Sequence, residues 1–230
     1  AEQCNGSGDC RKTPVSGGTM CPSFMVTRNE KETTRARANI LREFLTRSTK
    51  PNRFDHKEIK EVMDLCLACK GCKAECPSNV DVAKLKMEFL YQYQKENGTP
   101  LRSRMVGHFA SISSLASRVP FLYNLIMGTP FLRRISNRIV GFHPDRTMPL
   151  MAKQTLGSWL KGRKTIQSTK SIYLFVDEFT NYNDAEVGRK AVLLLEALGY
   201  EVRTLEHPIS GRSFLSKGML DEARNLAQKN

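Results

Sequence analysis

The run Cys66-Leu67-Ala68-Cys69-Lys70-Gly71-Cys72-Lys73-Ala74-Glu75-Cys76-Pro77 constrains this chain more than any other stretch. It spaces four cysteines by two, two and three residues and closes them with a proline. Gaps that short let successive sulfurs converge on one inorganic centre and leave backbone N–H groups pointing at it. The spacing is that of a bacterial-type iron–sulfur run, in which three thiolates hold one cubane and the fourth ligates a second cluster. Zinc is the competing metal, since C-x2-C pairs also serve tetrahedral zinc; inert buried thiols are a third reading. The proline after the last cysteine and the second Cys-Pro step at Cys21-Pro22 favour iron–sulfur.

The upstream stretch Cys4-Asn5-Gly6-Ser7-Gly8-Asp9-Cys10 repeats the first and third positions of such a run, with Ser7 where the second ligand would stand. Cys21-Pro22 closes it after ten residues instead of three. Crossed ligation, as in two-cluster ferredoxins, would group Cys66, Cys69, Cys72 and Cys21 in one complete [4Fe-4S] set and leave Cys4, Cys10 and Cys76 in a second. Two centres are therefore expected, the second short of one thiolate. Ser7 as an alkoxide, Asp9 as a carboxylate, or an open corner on a three-iron cluster would each account for it. Ser7 as a plain turn residue in a Gly-rich loop is an equally open reading. No residue is read as catalytic, and the cysteines are read as redox-centre ligands and not as nucleophiles.

Seven cysteines is an odd number, and tight clustering suits metal thiolates better than a disulfide framework. That points to a reducing compartment, with a cytoplasmic location expected. Over 230 residues the formal net charge is +13. From Pro100 to Ser171, twelve cations face Asp145 alone, so +11 of the excess sits in one middle segment. Three readings stand for it: a solvated face, a docking surface for an acidic partner, or a contact with the inner face of a membrane. The last is drawn from Phe121, Leu122, Leu125, Ile126, Phe131 and Leu132 beside Arg133, Arg134 and Arg138. Nucleic acid is disfavoured, because charge alone is not a motif. The charge-free stretch Val119 to Leu132 contains two prolines and is well short of the roughly 20 apolar residues a spanning helix needs. No phosphate-cradling glycine motif occurs, and His56, His108, His143 and His207 have no partner at helical spacing.

Taken in order, residues 1 to 27 read as loop. A helix is expected from about Asn29 to Arg47, striped by Ala36, Ile40, Leu41, Phe44 and Leu45. Asp55 and Glu58 mark the start of a second helix, which faces Ile59, Val62 and Met63 inward and delivers Cys66. A third, capped within Ser78 to Asp81, runs to about Lys95. Residues 100 to 142 read as helices broken at Pro120 and Pro130, and His143 to Lys170 as a basic connector. The pattern then changes to a strand at Ile172 to Val176, a helix from Asp184 to Leu198, a strand at Tyr200 to Leu205 and a last helix through Ala227. The fold class is thus mainly α, a cysteine-bearing helical domain, which the resemblance given below implies to be an α-helical ferredoxin domain, followed by an incomplete α/β (βαβα) domain. Its parts are 1–99, a basic helical segment and connector at 100–170, and 171–230. The N-terminus lacks a signal or an initiator Met and is expected to be a cut end, and two strands suggest a chain that stops inside a domain.

The residues Gly17-Gly18-Thr19-Met20-Cys21-Pro22-Ser23 and Thr33-Thr34-Arg35-Ala36-Arg37-Ala38-Asn39, followed by the Cys66 run, resemble the C-terminal iron–sulfur portion of FAD-linked 2-hydroxy-acid dehydrogenases, the D-2-hydroxyglutarate and D-lactate dehydrogenase-like proteins. The helical ferredoxin fold is also similar to that of the succinate dehydrogenase iron–sulfur subunit. The tail, Val176 to Asn183 and Gly211 to Leu220, is similar to the first half of a CCG-type domain. It departs from that pattern where paired cysteines are expected, because Ile209 and Ser210 stand there.

The resemblance implies an oxidoreductase part: an electron-transfer module that carries electrons from a reduced FAD to an acceptor protein or quinone. The flavin and substrate domain would lie elsewhere, on the same or a separate polypeptide, so this stretch alone should lack dehydrogenase activity. The tail would be a docking or structural domain. A free-standing iron–sulfur subunit of a quinone- or heterodisulfide-linked complex, and a zinc-stabilised interaction protein, are the alternatives.

Overall fold

The computed structural model describes residues 2–230. They fall into two units: the chain up to Thr99 together with Leu215–Leu220, and Pro100–Phe214 together with Asp221–Asn230.

In the first unit the N-terminal loop, with a 3-10 turn at Pro14–Ser16, leads into helix α1 (Pro22–Thr27). Pro22 stands in its first turn, where a missing N–H costs nothing. The helix expected from Asn29 is interrupted. A 3-10 turn occupies Glu30–Glu32, Thr33 is extended, and its hydroxyl accepts from the Ala36 N–H to cap α2 (Thr34–Arg47). Helix α3 (Lys57–Asp64) begins after His56 without a side-chain cap. Asp55, expected as that cap, instead accepts from Asn97 Nδ2 at 2.8 Å and pairs with Lys50 at 3.2 Å. A short α4 (Gly71–Glu75) lies inside the cysteine run, and α5 (Val82–Asn97) is capped by Asp81, which accepts from the Lys84 N–H at 3.0 Å.

Leu41, Ile59, Met63, Val80 and Phe89 form the buried core of this unit, and Cys10, Cys21 and Cys72 belong to the same cluster. Removing each large aliphatic or aromatic side chain from water contributes about 1.5–3 kcal/mol. The thiols are therefore held in a dry interior. Gly218, with φ +72°, lies so close to α5 that a Cβ there would stand 2.5 Å from that of Leu90.

In the second unit α6 (Leu101–Gly107) and α7 (Phe109–Ala116) precede α8 (Pro120–Gly128) and α9 (Pro130–Val140). Each expected proline break is the first residue of a new helix, since the ring is tolerated only in the first turn. Phe121, Phe131 and Ile139 of α8 and α9 are exposed. After α10 (Leu156–Lys161) come β1 (Ser171–Tyr173), α11 (Glu178–Tyr182), α12 (Ala185–Ala197) and β2 (Glu201–Arg203), then α13 (Arg212–Ser216) and α14 (Leu220–Lys229).

The strands pair in parallel, Ser171 with Glu201, Ile172 with Val202 and Tyr173 with Arg203. They are shorter than the sequence suggests, because beyond Leu174 the Val176 N–H turns to His207 Nε2 at 3.2 Å. The structure adds helix α11 to the expected elements, capped by Asp177, which accepts from the Phe179 and Thr180 N–H groups. The chain is mainly α, as expected. No helix among the described residues is long and apolar enough to cross a membrane.

Candidate metal centre

Between α3 and α4 the backbone takes left-handed conformations at Ala68 (φ +52°) and Lys70 (φ +62°), neither of them glycine. Each costs about 1–2 kcal/mol in an L-residue. Alternating handedness of this kind curls a loop so that its N–H groups face a common concavity, the nest geometry typical of iron–sulfur sites. Cys66, Cys69 and Cys72 line a cavity at this loop, and the fourth cysteine on its wall is Cys21, at the start of α1. No histidine or carboxylate lines that cavity. Among the described residues, no three His, Cys, Asp or Glu side chains converge as a single metal ion would require. All seven cysteines are free thiols.

The supports of the cavity run through α2, α4 and α5. Cys72 Sγ accepts from the Val82 N–H at 3.3 Å. Burial pushes the Cys72 thiol up, against the pull of the Val82 and Ala83 N–H groups, so ligation there must displace a proton. Lys86 Nζ donates to the Met63 and Cys66 carbonyls, both at 2.7 Å, and so closes the end of α3 and anchors Cys66.

Glu75 holds the Cys21 loop against α4. One carboxylate oxygen accepts from Thr19 N–H and Oγ1 at 2.6 Å, and the other from Lys12 Nζ at 2.7 Å and Met20 N–H at 3.2 Å. These donors, led by Lys12, bring the Glu75 carboxyl down to about 2. Gly71 permits the approach, for a Cβ there would stand 2.7 Å from Thr19 Oγ1.

Arg37 is wholly buried on the same wall as Cys21. Its Nη1 donates to Cys21 Sγ at 3.2 Å, to Ser23 Oγ at 3.0 Å and to the Glu32 carbonyl at 2.7 Å; Nη2 pairs with the buried Glu32 carboxylate at 2.6 Å, and Nε donates to the Val62 carbonyl at 3.0 Å. By sequence Arg37, like Arg35 and Arg42, fits a cluster lining, a domain interface or a solvated helix face equally well, and the structure buries it. For Glu75 and Lys86 no sequence signal existed, because each acts on backbone or on a loop distant in the chain.

Cys4, Cys10 and Cys76 are not on the wall of that cavity. Cys10 is buried, and Cys4 and Cys76 pack partly buried against the same core. Burial pushes the Cys10 thiol up, opposed by hydrogen bonds from the Arg35 backbone and the Thr33 side chain. Arg35 lies near Cys4 and Cys10, pairs closely with Glu30 and reaches the Gly6 carbonyl at 3.5 Å. Ser7 is exposed, with its N–H donating to Asn5 Oδ1 at 3.1 Å in an Asx turn, and Asp9 is exposed as well.

In the tail Ser210 donates from its N–H and hydroxyl to the buried Glu178 carboxylate at 3.2 and 2.7 Å, while Arg212 pairs with Asp177 at 2.6 Å. The four histidines have local roles. His56 bonds Ser48, His108 meets Phe214 edge-on, the Asp145 N–H donates to His143, and His207 stacks on Phe175.

Residues 3–81 match the 4Fe-4S dicluster domain family. The whole chain aligns with the D-2-hydroxyglutarate dehydrogenase of Escherichia coli at 27% identity and with that of Pantoea ananatis at 25%, in each case over 27% of the relative's length. The Pseudomonas putida enzyme of the same name is 26% identical, again over all of this chain and 27% of its own length. The chain therefore spans about a quarter of the curated relatives it matches. No solved structure matches it. These matches bear out the resemblance to the iron–sulfur portion of such dehydrogenases.

Proposed function

We propose that this chain, with a 4Fe-4S dicluster domain at residues 3–81 and dehydrogenase relatives along its whole length, is the electron-transfer module of a FAD-linked 2-hydroxy-acid dehydrogenase. Residues 1–99 would be its helical ferredoxin domain, 100–170 a basic connecting segment and 171–230 the CCG-like tail. The observation that carries the reading is the single cavity walled by Cys21, Cys66, Cys69 and Cys72, thiols from two distant parts of the chain.

The donor set fits the group. Four thiols without carboxylate or imidazole suit a cluster, whereas zinc would draw its ligands to about 2.0–2.3 Å from one point. Cys21, Cys66, Cys69 and Cys72 would ligate one centre. Cys4, Cys10 and Cys76, with Ser7 or Asp9 as candidate fourth donors, would ligate the second. Bound clusters would take electrons singly, and so divide the two-electron output of a reduced flavin. The chain's own contribution is to bury Cys21 and Cys72, to orient Cys66 through Lys86 and Cys21 through Glu75, and to aim the Val82 N–H at Cys72 Sγ.

The flavin and substrate domain would lie outside residues 1–230, with a protein or quinone as acceptor. The chain alone would then lack dehydrogenase activity. Anaerobic reconstitution followed by iron and sulfide analysis with EPR tests the reading. Two iron–sulfur centres are expected; a colourless protein that takes up zinc and no iron would overturn it.

A further inference from the structure

Resting on that reading, we propose that Arg37 tunes the reduction potential of the centre ligated by Cys21, raising it through a buried positive charge and an N–H···S hydrogen bond. Cys21 Sγ has three polar neighbours: Arg37 Nη1 at 3.2 Å, the Glu32 carbonyl at 3.3 Å and Ser23 Oγ at 3.4 Å. As a thiol, Cys21 donates to the Glu32 carbonyl. As a thiolate ligand it has no proton to give, and its two remaining polar contacts are the guanidinium and the Ser23 hydroxyl. The guanidinium is rigidly placed, because all three of its nitrogens have partners and the side chain is wholly buried.

A cluster gains one negative charge on reduction, so a fixed cation and a donor to a ligand sulfur stabilise the reduced form. Hydrogen bonds to the sulfurs and local net charge are both recognised determinants of cluster potential. In a dry interior such charges act with little screening. Glu32 offsets part of the effect from the far side, since its carboxylate binds Nη2 while Nη1 faces the sulfur. Removing Arg37 and removing Glu32 should therefore move the potential in opposite directions, which a role confined to holding α2 in place does not require. Arg35 makes a contrasting neighbour, because its pair with Glu30 is partly open to solvent.

The test is an EPR-monitored redox titration of the reconstituted full chain, with iron content measured in parallel. The double variant Arg37→Gln/Glu32→Gln avoids a lone buried charge. In it, one centre should titrate lower, with the reduced-to-oxidised ratio at the wild-type midpoint down about tenfold, equivalent to 59 mV for one electron. Glu32→Gln alone should move the same centre upward, and Arg37→Lys should recover part of the loss. The other centre should not move.

Unchanged midpoints at full iron content would overturn the proposal and leave Arg37 a purely structural residue. If the double variant takes up no iron, Glu32→Gln decides: an upward shift supports the proposal and no shift overturns it. A wild-type chain that binds no iron would instead break the functional reading on which this rests.

Discussion

Arg35 and Arg37 stand two residues apart on one helix, yet they belong to two differently built cysteine regions. Around Arg37, Cys21 joins Cys66, Cys69 and Cys72 on one cavity, with an ion pair whose side chains are 0% and 1% exposed. Around Arg35, Cys4 and Cys10 sit beside an ion pair whose side chains are 30% and 46% exposed, and the one nearby serine faces solvent. The difference teaches that similar cysteine spacings can be enclosed to very different degrees. In the first region Cys21 and Cys72 are buried and Cys69 is exposed, whereas in the second Cys10 is buried beside an exposed glycine-rich loop.

The sharpest way to break this comparison is Cys21→Ala. It should remove the centre at Cys66, Cys69 and Cys72 and roughly half of the bound iron, whereas Cys76→Ala should spare that centre and damage the other. Iron analysis with EPR reads both, and loss of the opposite centre in either variant would show that the ligands do not cross.

Next in size is the stability of the unligated chain. Arg37→Ala leaves Glu32 buried without its partner and should cost about 3–5 kcal/mol, against less than about 1 kcal/mol for Arg35→Ala at its partly exposed pair. Denaturant unfolding measures both, and equal losses would erase the distinction between the regions.

A smaller effect is expected at Gly71. Alanine there would crowd Thr19 Oγ1 while Glu75 holds it, at a cost of about 1 kcal/mol. The loop carrying Cys21 should become more open to proteolysis, and an unchanged cleavage rate would show that the loop does not depend on close approach to α4.

The smallest is a pH effect on the same loop. The Glu75 carboxyl is depressed to about 2 from an ordinary 4.5, so its hold on Lys12, Thr19 and Met20 is fully present above about pH 4.5 and fades as pH falls toward 2. Glu75→Gln should flatten that part of the protease-sensitivity profile. If both proteins follow the same curve, another carboxylate governs the loop.

Much of this protein was legible in local patterns. The apolar spacing of Leu41, Ile59 and Met63, the prolines that open α8 and α9 and the Asp81 cap all follow from short-range rules of period and capping, whereas the pairing of Ile172 with Val202 comes from the structure. The Cys66 run announced its chemistry by spacing alone, because ligand reach along a short loop is a local property. The surroundings of these cysteines come from tertiary packing. Arg37 faces inward because Glu32, Ser23 and Val62, from different segments, together satisfy its charge and its donors. Glu75 clamps a loop more than fifty residues away, and Lys86 anchors Cys66 from another helix. Apart from Glu32, five residues before Arg37, these partners lie fourteen or more residues away in the chain, so a short window of sequence does not bring them together. The candidate ligands are therefore read from spacing, and their environment from packing.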